Sequence, residues 1–192
     1  MAPGQPLSSW LTAEENAALN ELTTRLGLPQ GSMEGYKPWI AAITLTVVPI
    51  MQAGFDPQSG VDRAVDAYAD AAGKTRRALE TAEEQFGFLA GMSPELQRQM
   101  LREAISEADQ VSAQLTQMSG SWERGEEDAL ALVIIDETRA LYPELYETLF
   151  TTRNNAWMEV LGAEMEGAGV DFVAVGAGHL LGEDGLVEQF RA

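Results

Sequence analysis

The chain has no cysteine and a single histidine among 192 residues. Disulfides, thiolate nucleophiles, iron–sulfur clusters and cysteine-built zinc sites are therefore excluded. Basic residues are scarce as well: 12 Lys and Arg stand against 30 Asp and Glu, a net charge of −18. Nucleic-acid binding needs a concentrated basic face, so no nucleic-acid partner is expected, and docking on an anionic membrane surface is disfavoured. The longest apolar stretch, "WIAAITLTVVPIMQAGF" at 39–55, is too short and too interrupted for a membrane span, so the chain reads as not transmembrane. The N-terminal "MAPGQPLSSW" has neither the basic nor the apolar region of a signal peptide, so no leader is visible. No glycine run has dinucleotide or P-loop spacing, which removes a nucleotide cofactor from the expected chemistry.

What is present is mostly helical pattern. The length fits one domain over residues 1–192 with a substantial core. "LTAEENAALNELTTRLG" at 11–27 places Thr12 and Glu15 as a capping box and repeats Leu19, Leu22 and Leu26 on one face, with Gly27 to end the helix. "KPWIAAITLTVVPIMQAG" at 37–54 predicts a buried helix, kinked at Pro49, although its Thr/Val run also suits a strand. Residues 60–74 predict a short helix with Asp62 as N-cap, and 81–92 another. "SPELQRQMLREAISEADQVSAQLTQM" at 93–118 predicts one long helix, with Ser93 as N-cap, Pro94 in the first turn and an apolar stripe from Leu96 to Met118. Two further helices fill 121–142 and 143–169, and a last one begins after "GEDG".

Two runs read differently. "VDFVAVGAGH" at 170–179 is a near-continuous apolar, β-branched run, as in a strand buried on both faces, and "TRRALE" at 75–80 can be a second strand. Together they predict an α/β fold: helix-rich, with a small parallel sheet core and a long helical insertion. Two strands make a thin sheet with exposed edges, so the sheet is expected to be incomplete in this chain, and an open edge invites a second copy to form a homodimer.

At the carboxyl ends of parallel strands ligands gather, and there the sequence puts Glu80 and His179. A carboxylate and an imidazole can share a divalent metal or act as a base and its partner. Gly176 and Gly178 would let the backbone approach a ligand. Equally, His179 can be a turn residue and Glu80 an acidic residue in the first turn of the next helix. Arg153 and Asn154 in "TTRNNAW" can hold a carboxylate or orient a water, or can lie on a solvated helix face with Trp157 in the core. With one histidine and no cysteine, a complete metal site would be rich in carboxylate and water, which favours Mn²⁺, Mg²⁺ or Ca²⁺ over structural zinc.

Several pieces in order, "LSSWLTAEENAAL", "KPWIAAITL", "GFDPQSGVDRAVDAYADAAGK", "ALETAEEQF", "SWERGEEDAL", "YPELYETLFTTRNNAW" and "FVAVGAGHLLGEDGL", resemble the TraB/GumN family, whose animal relatives include the Tiki membrane proteases. The resemblance implies a mixed α/β domain with two Gly-x-x-His motifs and glutamates, associated in the Tiki branch with divalent-metal-dependent proteolysis. Gly176 and His179 match the second Gly-x-x-His, Glu80 the family glutamate, and Arg153 and Asn154 its Arg-Asn pair. The first Gly-x-x-His and a last strand have no counterpart here, so the chain is expected to be a domain short at both ends. The resemblance thus implies a peptidase-like hydrolase of peptides or small molecules, weak or inactive as it stands. His179 and Glu80 would be metal ligands, with Glu80 alternatively a general base, and Arg153 and Asn154 would orient substrate. The ions to consider are Mn²⁺, Co²⁺ and Zn²⁺. The family's members are typically periplasmic or envelope-associated. The other expectation is a non-catalytic envelope module handling exopolysaccharide or peptide signals, in which His179 only shapes a loop.

Overall fold

The computed structural model describes residues 4–192; the first three residues of the N-terminal stretch read for a leader lie outside them. Helices follow one another in the order α1 (Ala13–Arg25), α2 (Pro38–Gln52), α3 (Val61–Ala71), α4 (Ala82–Gly91), α5 (Pro94–Glu107), α6 (Val111–Arg124), α7 (Glu127–Ala131), α8 (Glu137–Leu141), α9 (Pro143–Tyr146), α10 (Thr152–Met165) and α11 (Leu186–Arg191). Between α7 and α8, and again between α9 and α10, the helix continues through a π-helical turn, at Leu132–Asp136 and Glu147–Thr151. The chain forms two compact units, Met1–Phe55 with Met92–Gln117 and Asp56–Gly91 with Met118–Ala192.

The first unit is built from regular helices on an apolar core of Leu7, Leu11, Leu19, Leu22, Met33, Ala41, Ala42, Leu45, Leu101 and Ala108. Local signals set its helix ends. The backbone N–H of Glu15 donates to Thr12 Oγ1 at 3.2 Å, and the N–H of Thr12 donates to Glu15 Oε2 at 2.7 Å, closing the expected capping box. Gly27 closes α1 with φ +72°, a conformation that costs glycine little. The Thr/Val run of α2 is helical and buries Ala41, Ala42 and Leu45, while Thr44 and Thr46 satisfy their hydroxyls by donating to the carbonyls of Ile40 and Ala42, at 2.8 and 3.0 Å. Pro49 falls in the last turn of that helix, and only one face of α2 is buried, since Val47 and Met51 stay exposed.

The long helix expected over 93–118 is two. Ser93 caps α5 by accepting from the N–H of Leu96 at 3.2 Å, but the helix stops at Glu107 and a turn follows, with Gln110 N–H donating to Glu107 O at 2.8 Å. Ser106 and Asp109 prefer local hydrogen bonds and ion pairs to helix interiors, and here Asp109 pairs with Arg25 at 3.0 Å. A smaller correction concerns α3, whose N-cap is Gly60, with Asp62 in the first turn.

The expected parallel sheet is absent. Among the described residues there is no strand at all, and the protein is mostly helical rather than α/β. Residues 74–79 and 170–176 do run without helix, as the β-branched composition of 170–175 implies, but β-propensity only becomes a strand when a ladder partner exists. The backbone groups of 170–175 form no backbone hydrogen bond among the described residues, and Val170 and Phe172 are 100% and 80% exposed. Leu79 and Val175, one from each run, pack on Trp157, Leu161 and Leu186, and the first run is further held by ion pairs of Arg76 with Asp66 and Asp70 and of Arg77 with Glu164. The expected open sheet edge is therefore missing among the described residues.

Candidate functional site

The second unit gathers the chemically interesting residues around the start of α10. Thr152–Met165 carries Arg153, Asn154 and Trp157 on adjacent turns, so that two polar groups and one large ring project towards the chain segment ending in His179. That segment closes in a 3₁₀ turn, Ala177–His179, which brings the imidazole back onto the helix. The ring lies against Trp157, with centroids 4.3 Å apart, and against Phe150 at 5.4 Å. His179 is 7% exposed.

Gly178 is required by this packing. A Cβ there would stand 2.7 Å from Phe150 Cε1 and 2.9 Å from Ile134 Cγ2. Ile134 and Phe150 belong to the two π-helical turns, which shift the side-chain register of their helices. The two irregular turns thus press on one glycine and fix where the following histidine can sit. Gly176 is less confined, its nearest neighbour for a Cβ being His179 Cδ2 at 3.9 Å.

Hydrogen bonds define the state of the imidazole. Asn154 Nδ2 donates to the backbone carbonyl of Asp184 at 2.8 Å, and a carbonyl can only accept. The other end of the amide, Oδ1, therefore faces His179 Nδ1 at 2.7 Å and accepts a hydrogen bond from its N–H. Neutral His179 then carries its proton on Nδ1 and its lone pair on Nε2, the nitrogen left for a ligand. Burial, helped by the nearby Arg153 charge and opposed by Glu80, pushes the pKa of His179 down from 6.5 to about 4. Near neutral pH the ring is uncharged.

Glu80 and Arg153 make a closed pair. Arg153 Nη2 donates to Glu80 Oε1 at 2.7 Å and Nε to Oε2 at 2.9 Å, while Nη1 reaches the carbonyl of Leu149 at 3.0 Å. The side chains are only 13% and 12% exposed, and the guanidinium lies 4.9 Å from the centre of the Trp157 ring. The planar fork of arginine suits such a bidentate contact. Glu80 is placed by the Thr81–Glu84 capping box that starts α4, with Thr81 N–H donating to Glu84 Oε2 at 2.7 Å.

The structure thus brings His179, Asn154, Arg153 and Glu80 into one site, although it gives them unequal freedom. Asn154 is 1% exposed, with both ends of its amide occupied by the protein. Glu80 has both oxygens on Arg153. Among the described residues no three His, Asp or Glu side chains are grouped to hold a metal ion. The donor set fits one neutral nitrogen ligand, His179 Nε2, and does not fit a closed metal centre made by this chain's described residues alone. Sequence reasoning missed Phe150, Arg139, Tyr146 and Asp184. The "GEDG" turn was the only local signal for Asp184, and nothing local marked the others.

The fold and site define a mostly helical protein with a buried, neutral histidine oriented by an asparagine beside an arginine–glutamate pair. A family model described as the TraB/PrgY/gumN family matches residues 1–192, and the chain belongs to that family. No curated protein and no solved structure matches it. Among the described residues no helix is long and apolar enough to cross a membrane.

Proposed function

We propose that this chain carries the histidine part of a divalent-metal-dependent hydrolytic site, peptidase-like in its substrates, which is weak or inactive until donors beyond those described here join it. The observation that supports this is the fixed imidazole: Asn154 holds the Nδ1 proton and leaves Nε2 neutral and without a hydrogen-bond partner among the described residues. That is the arrangement a metal-ligating histidine needs, since its second nitrogen must be tied and its first unprotonated. Glu80 would join only by exchanging Arg153 for the ion. Arg153, so released, would be the cation available to a substrate carboxylate or a developing oxyanion.

The test is thermal unfolding with Mn²⁺, Co²⁺ or Zn²⁺, for the native chain and for His179→Gln. Saturable stabilisation confined to the native chain is expected, because an ion that binds only the folded state raises its stability by mass action. A response equal in both proteins, or none in either, overturns the reading.

One observation favours a second reading, a binding module without catalysis. The Arg153–Glu80 pair is fully satisfied as it stands and asks for no ion. On that reading metals leave the melting temperature unchanged, while a peptide or saccharide fragment raises it.

A further inference from the structure

On the far side of Asn154 lies a second polar cluster that touches neither His179 nor Glu80. Tyr146 donates its hydroxyl to Asp184 Oδ2 at 2.8 Å. Arg139 Nη2 donates to the Tyr146 hydroxyl at 2.8 Å and to Asp184 Oδ2 at 3.3 Å, with its guanidinium 4.6 Å from the centre of the Tyr146 ring. Burial raises the pKa of Tyr146, so the phenol keeps the proton it donates. Asp184 therefore has two functions at once: its side chain is held by α8 and α9, and its backbone carbonyl receives Asn154 Nδ2 and, at 2.9 Å, Gln189 Nε2.

The turn that carries Asp184 has little room to move elsewhere. Gly185 N–H closes it on Gly182 O at 3.0 Å, and Gly182 has φ +76° with Ile135 Cγ2 3.0 Å from where a Cβ would be. A Cβ on Gly185 would lie 2.6 Å from Leu181 O. Backbone closure and side-chain anchoring together set where the Asp184 carbonyl points.

We infer that Arg139, Tyr146 and Asp184 are positioning residues for His179: by anchoring the 182–185 turn they fix Asn154, which in turn selects the Nδ1–H tautomer and presents Nε2. Each hydrogen bond has a fixed direction, because Arg139 can only donate and the Asp184 carboxylate and carbonyl can only accept, up to the Asn154 amide, whose orientation the Asp184 carbonyl decides. If that carbonyl swings away, Asn154 can rotate, offer Nδ2 to the ring and stabilise the opposite tautomer. The inference deepens the proposed hydrolytic reading and rests on it only for the use made of Nε2.

The single histidine makes the state of the ring directly readable, since its nitrogen signals in ¹⁵N-labelled protein belong to His179 alone. The experiment is a long-range ¹H–¹⁵N correlation spectrum of the metal-free full chain, recorded near neutral pH and well below the melting temperature. In the native chain Nδ1 should be protonated and Nε2 unprotonated. Tyr146→Phe and Asp184→Ala should raise the Nε2–H form several-fold in protein that remains folded, and Asp184→Asn, which keeps an acceptor for the phenol, should restore most of the native state. Tyr68→Phe, at an exposed tyrosine, should change nothing. A loss of melting temperature with the native tautomer intact would make the cluster a structural brace only and overturn the inference. Should Tyr146→Phe fail to fold, Asp184→Asn against Arg139→Gln decides the same question. Because no metal is added, this result stands or falls independently of the metal titration.

Discussion

The two compact units of this protein use polar groups in opposite ways. In Met1–Phe55 with Met92–Gln117 the core is aliphatic, the helices are regular, and polar side chains mostly cap or back-bond their own helices, with the buried Gln97 amide donating to Met92 O at 2.9 Å. In Asp56–Gly91 with Met118–Ala192 Trp157, Leu161 and Leu186 form an apolar cluster, two helices pass through π-helical turns, and the interior holds an ion pair, an amide and an imidazole. Aliphatic burial stabilises without specifying chemistry. A buried polar cluster stabilises less for its size, because each group must recover its lost hydration, yet it fixes protons and lone pairs at defined points. The second unit has accepted irregular helices and unpaired extended runs around such a cluster.

That contrast can be broken first at Arg153. Arg153→Met leaves the Glu80 carboxylate buried without its cation, which should cost roughly 3–5 kcal/mol and disturb the His179 ring signals. Leu45→Ala, at a fully buried site of the first unit, should cost a comparable roughly 2–5 kcal/mol by leaving a cavity. The His179 signals are the discriminator: they should move in the arginine variant and stay in the leucine variant. Denaturant unfolding with spectra of the folded state checks both.

Acid should sharpen the difference. The folded state prefers neutral His179, with its pKa at about 4 against 6.5 in the unfolded chain. Unfolded chains therefore bind more protons between these values. The stabilisation is complete above the upper one and is lost as pH falls towards the lower, by up to roughly 3 kcal/mol. His179→Gln should flatten the upper part of that window, where few carboxylates titrate. An unchanged pH slope in the variant would place the effect elsewhere.

The smallest effect should be alike in both units. Thr12→Ala and Thr81→Ala each open a capping box, and each should cost about 1 kcal/mol in denaturant unfolding. Equal losses would locate the contrast in tertiary packing rather than in the helices' own ends.

Features that depend on a few neighbouring residues were legible without the structure. Thr12 with Glu15, Ser93 with Pro94 and the glycine after α1 each act within one turn of backbone, so their chemistry is contained in adjacent letters. The resemblance drawn from ordered motifs also grouped Glu80, Arg153, Asn154 and His179, and the chain is a TraB/PrgY/gumN family member. The strands were misread for a physical reason. "VDFVAVG" has the composition of a strand, but a strand exists through hydrogen bonds to another chain segment, and none lies alongside it among the described residues. The π-helical turns were invisible because a one-residue shift of register leaves no compositional mark.

By itself, then, the sequence determined where most helices begin, which residue types these 192 residues offer for chemistry, and that His179 is the one imidazole among them. Tertiary structure alone decided that Arg153 closes on Glu80, 73 positions away, and that Asn154 faces inward to a ring 25 positions on. It also decided which nitrogen of that ring carries the proton. Those outcomes depend on the direction of a carbonyl at Asp184 and on two aromatic rings closing over an imidazole, and such directions are set only when distant segments pack.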